Sequence, residues 1–155
     1  MKDQRAERAG SEDHSDRPVM SERCLIPGED TKGRFAVMEI RMRQGAELPQ
    51  HIHHWEDVVV YVLEGEATFY LAGERHACSA GSCMLLPAGC EHSYVISSHE
   101  TKWLMMVAPA GLERLFAELE GANSMDSFAM ERFVAVAARY GVEITGPPPN
   151  AGSSR

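Results

Sequence analysis

The chain has 155 residues, 44% hydrophobic and 25% charged, the composition of one ordinary globular domain with a single core. A formal net charge of −8 argues against nucleic acid or an anionic membrane surface as a partner. No apolar run approaches the roughly 20 residues of a membrane helix. The opening Met1-Lys-Asp-Gln-Arg also lacks the apolar centre of a secretion signal, so a cytoplasmic location is expected.

Residues 1–20 mix charges and hold almost no large apolar groups, and a disordered leader is expected there. Arg23 to Gly33, broken by Pro27-Gly28 and Lys32-Gly33, reads as an edge segment and turn. From Phe35 to Arg43 the pattern alternates, with Ala36, Met38, Ile40 and Met42 on an inner face and Glu39, Arg41 and Arg43 outside. The stretch Gly45 to Gly65 follows. In it His51 and His53 stand two apart, so on an extended chain both imidazoles point to one side and can share a metal ion. Val58 to Leu63 reads as a strand with Val58, Val60 and Val62 inward. Ala67–Leu71 and Arg75–Cys78 flank Ala72-Gly73-Glu74 as a hairpin.

A second patterned stretch is Gly81-Ser-Cys-Met-Leu-Leu-Pro87-Ala-Gly89-Cys-Glu-His92: a glycine turn, a short apolar strand, a Pro/Gly turn and a histidine opening the next strand. His92, Tyr94 and Ile96 share parity and line one side. Along Thr101–Val107 either Trp103 and Met105 or Leu104 and Met106 face inward, since both sets are apolar. From Pro109 the period becomes helical, with Leu112, Leu115, Phe116 and Leu119 as one stripe. Ser124 or Asp126 can cap a second helix with the stripe Ala129, Phe133, Val136, Ala137 and Tyr140, closed by Gly141. Gly146-Pro-Pro-Pro149 ends regular structure, and a loose tail is expected at 150–155.

The two patterned stretches, G-x5-H-x-H with a closing glycine at Gly65 and G-x5-P-x-G-x2-H, resemble the paired motifs of the cupin superfamily. The ending, Gly111-Leu-Glu-Arg-Leu-Phe through Gly141-Val-Glu-Ile-Thr-Gly-Pro-Pro, looks like that of single-domain bacterial cupins similar to quercetin dioxygenase. The resemblance implies an all-β fold, a cupin (double-stranded β-helix, jelly-roll) barrel over 21–108, with two short C-terminal helices in the extension 109–149. It implies His51, His53 and His92 as ligands of a divalent metal, Fe(II) or Mn favoured and Zn or Ni possible. It also implies a homodimer across an outer sheet face bearing Tyr61 and Leu63. Two positions depart from the pattern: Val58 stands where the family has its glutamate ligand, and Ile96 where an asparagine is common. Asp57 adjoins the gap, but strand alternation turns it to the opposite face.

With three neutral imidazoles and no carboxylate, a divalent ion keeps its full charge and favours a bidentate anion. Met38, Met42, Val58, Val60, Tyr94 and Ile96 are the expected substrate pocket, with Tyr94 a candidate for moving a proton. Three readings stand: an oxygenase of an aromatic, polyketide-like or diketone-type molecule; a non-redox isomerase, cyclase or dehydratase using zinc as a Lewis acid; and a metal-poor small-molecule-binding protein. His54, His76 and His99 are expected at the surface, and Glu56 and Asp57 as solvated residues at a strand start. Cys24, Cys78, Cys83 and Cys90 form no CxxC pair, and reduced thiols are expected, with Cys83 and Cys90 packed as small hydrophobes.

Overall fold

A computed structural model describes residues 20–45, 47–119 and 127–149. The leader (apart from Met20), the tail 150–155 and the capping candidates Ser124 and Asp126 lie outside the described residues, as does the side chain of Ala129.

Alternating apolar and polar residues produce the strands. In chain order they are β1 (Met20–Ile26), β2 (Ala36–Arg43), β3 (Gln50–His53), β4 (Asp57–Glu64), β5 (Glu66–Leu71), β6 (Glu74–Ser79), β7 (Cys83–Leu86), β8 (Glu91–Ile96) and β9 (Glu100–Ala108). Helices α1 (Leu112–Leu119) and α2 (Ser127–Arg139) follow, and β10 (Val142–Gly146) closes the described chain. Two antiparallel five-stranded sheets result, ordered β1-β2-β9-β4-β7 and β10-β3-β8-β5-β6. This is the jelly-roll architecture, with two helices appended.

The core lies between the sheets. On β2 the expected inner set Ala36, Met38, Ile40 and Met42 is buried, and on β4 so are Val58, Val60 and Val62. On β9 the ambiguity resolves to Trp103 and Met105, with Met106 exposed on the outer face. Phe69 from β5, Tyr94 from β8 and Trp103 from β9 meet in the middle, their ring centroids 5.3–5.6 Å apart. Gly65 joins β4 to β5 at φ +83°, and a Cβ there would come within 2.3 Å of the Glu100 carbonyl oxygen.

Two elements differ from expectation. Gly141 does end α2, but the chain then forms β10, which pairs with β3 (Val142 opposite His53, Ile144 opposite His51). Cys83 is exposed on β7 and Cys90 partly so, leaving Cys78 as the buried thiol among these three; the wall packing expected of Cys83 is not found. Position 83 shares outward parity with Tyr61, its partner across β4.

Candidate metal site

The β3–β8 ladder places His51 directly opposite His92, and strand periodicity carries His53 to the same face. β10 on the far side of β3 braces this short strand. Ring centroids lie 4.3 Å apart for His51 and His92, and 5.0 Å apart for both His51–His53 and His53–His92. One potential ligand atom from each of the three falls within 4.8 Å of the others. All three rings are buried.

Hydrogen bonds decide which nitrogen faces the shared centre. Nδ1 of His51 lies 2.7 Å from the Pro49 carbonyl and Nδ1 of His92 3.2 Å from the Cys90 carbonyl. A carbonyl only accepts, so each Nδ1 carries the hydrogen, and Nε2 keeps its lone pair for a metal. His53 Nδ1 lies 2.9 Å from Oε1 of Glu56. Burial first, then the neighbouring His92 and His53, push the His51 pKa down to about 3. Burial and then His53 push His92 down to about 4. Both rings are therefore neutral at physiological pH, the form a divalent ion requires. The donor set fits a divalent metal.

Glu56 corrects the sequence reading. Expected in solvent, it is 4% exposed and turned back onto His53. The signal available in the sequence was its spacing, three residues beyond His53 across the β3–β4 turn. Asp57 points outward and accepts the Ala88 backbone N–H at 2.8 Å, so it does not take the place of the absent glutamate. Val58 is buried and lines the site, and no carboxylate joins the histidine cluster among the described residues.

A cavity of about 60 Å³ adjoins the imidazoles, with Met42, Val58, Val60 and Tyr94 in its wall. Met38 and Ile96 are buried but do not line it. Alternation told the face correctly and not the depth: Ile96 lies two inward positions beyond His92 on β8, past Tyr94. Sequence reasoning missed Phe69 as lining, and it missed Leu112, Leu115 and Phe116 of α1, which cover the cavity. Burial, followed by the nearby Glu47, raises the Tyr94 phenol well above its ordinary range, so it stays protonated. Its hydroxyl has no partner among the described residues, nor does Nε1 of Trp103. His54 pairs with Glu143 at 2.7 Å on the surface, and His76 lies 3.8 Å from Glu74.

Residues 38–107 match the cupin domain family, on the fold and with the histidine set just described. The chain has the cupin jelly-roll fold. A quercetin 2,3-dioxygenase of Bacillus subtilis (strain 168) is 29% identical over 97 residues, which are 63% of this cupin and 29% of that protein. The cupin therefore spans less than a third of the length of that relative. Among solved structures, the polyketide cyclase RemF from Streptomyces resistomycificus superposes with a TM-score of 0.51 at 27% identity, over 58% of this cupin and 65% of RemF. KdgF from Halomonas sp. gives 0.57 at 18% identity, over 63% and 86%, a likeness of fold alone. None of the described helices of this cupin is long and apolar enough to cross a membrane.

Proposed function

We propose that this cupin is a metal-dependent oxygenase that holds iron or manganese on His51, His53 and His92. Its substrate is a small aromatic, polyketide-like or diketone-type molecule bound as a chelating anion. The observation that carries the reading is a cluster of buried imidazoles, two with Nδ1 tied to carbonyls, in a wall where Val58 replaces a carboxylate. When bound, the ion supplies a dipositive Lewis acid with open positions at which dioxygen can be activated.

The chain's own residues do the rest. Val58, Val60, Met42 and Met105 exclude water, which strengthens attraction for an anionic ligand. The protonated phenol of Tyr94 serves as a donor rather than a base. A buried donor without an acceptor costs about 1–3 kcal/mol, which an incoming substrate oxygen relieves. The volume of about 60 Å³ is below the roughly 150 Å³ that admits benzene, so the lining side chains must move to admit a ring. The names of two relatives, a dioxygenase of quercetin and a polyketide cyclase, support this substrate class.

The likeness to RemF favours a second reading, a non-redox cyclase or isomerase in which zinc is the Lewis acid and Tyr94 the donor. One experiment separates them: anaerobic loading with Fe(II), then a panel of diketones, flavonols and aromatic polyketides, then oxygen. Substrate-dependent oxygen uptake supports the oxygenase. Turnover by the zinc-loaded protein without oxygen supports the cyclase, and organic-ligand binding with poor metal retention supports a binding protein.

We also propose a cytoplasmic homodimer, built on the outer face of the first sheet. There Ile26, Val37, Met106, Val59 and Leu85 form one apolar row across five strands, beside Tyr61. Leu85 and Tyr61 are 54% and 43% exposed, which is unusual for such large apolar groups in a continuous array.

A further inference from the structure

Glu56 is a buried acidic side chain beside the imidazole cluster, and its one described hydrogen bond is to a metal-ligand candidate. A carboxylate in that position is costly unless it meets compensating charge. The other two histidines are held by neutral backbone carbonyls. His53 alone is held by an acid. Strand pairing fixes the backbone of β3, but it leaves the ring rotation of His53 to whatever grips Nδ1. Meanwhile Val58, 1% exposed, leaves the inner face of β4 without a negative charge.

We infer that Glu56 is the positioning residue of the metal site. It holds His53 with Nε2 toward the shared centre and supplies, through the imidazole, the negative charge that Val58 withholds. This rests on the metal-binding reading above and adds a residue and a charge balance to it. An acceptor on Nδ1 makes Nε2 a stronger donor, and a charged acceptor does so more than a neutral one. The site is then a three-histidine site in its ligand atoms and anionic in its surroundings. Glu56 touches neither substrate nor ion.

The test is Co(II) affinity of the full chain, measured against a competing chelator, for wild type, Glu56→Gln and Glu56→Ala. Gln keeps an oxygen to accept from Nδ1 and removes the charge; Ala removes both. The expected result is a loss of about 10- to 100-fold for Glu56→Gln and a larger loss for Glu56→Ala. In the Co(II)-loaded protein the exchangeable Nδ1–H resonance of His53 should shift in Glu56→Gln and vanish into exchange in Glu56→Ala. Metal-free thermal unfolding of each variant shows whether the fold is kept. Binding by folded Glu56→Gln within twofold of wild type overturns the charge assignment, and an unmoved His53 resonance in Glu56→Ala overturns the positioning role. A wild type that binds no Co(II) removes the metal reading and this inference together.

Discussion

At the scale of single residues, position 58 sets the character of the site. Its side chain is buried in the cavity wall, so Val58→Glu brings an acid to the inner face beside the imidazoles. Added ligand charge raises affinity for divalent ions, and a gain of about tenfold or more is expected in chelator competition. An unchanged affinity in a folded variant would mean that position 58 does not face the ion. The histidines give a second prediction, for the metal-free protein. His51 and His92 are held at about 3 and 4 when folded, against 6.5 when unfolded. Below pH 6.5 the unfolded chain therefore binds more protons than the folded one, and stability falls as pH drops from 6.5 toward 4. Each tenfold difference in proton affinity between the two states is worth about 1.4 kcal/mol, so the loss should amount to a few kcal/mol. Urea midpoints in chelator at pH 7.5 and 5.0 measure it, and His92→Asn should flatten the slope.

At the scale of elements, the aromatic trio joins the two sheets beside the site. Phe69 is fully buried against Tyr94 and Trp103, and Phe69→Ala should cost about 3–5 kcal/mol in urea unfolding. A cost under 1 kcal/mol would mean that the trio does not anchor the core. Gly65→Ala should also destabilise, because its Cβ meets the Glu100 carbonyl and its φ lies in the left-handed region. Much of this level was legible in the chain: the parity of β2 and β4, the His51–His53 pair and the turn glycines follow from local pattern alone. Other features were not. On β9 both faces are apolar at positions 103–106, so alternation had no contrast to read. β10 is a short strand after a helix-ending glycine, and only its pairing with β3 defines it. Glu56 sits beside Asp57 in a stretch that looks solvated, and its burial comes from a tertiary turn. The depth of Met38 and Ile96 likewise depends on where the barrel opens, which strand parity does not encode.

At the scale of the whole molecule, the apolar row on the outer sheet predicts the assembly. Light scattering should give a dimer mass for the wild type and a monomer mass for the double variant Tyr61→Glu/Leu85→Glu, with metal content unchanged. A monomeric wild type would contradict the proposed interface. Three imidazoles from β3 and β8 should gather around one divalent ion in solution. Elemental analysis after metal loading and desalting tests it most directly. One equivalent of metal per chain is expected in the wild type, with near-complete loss in folded His51→Ala and His92→Ala. A wild type that retains no metal, or variants that retain as much as it does, would contradict it.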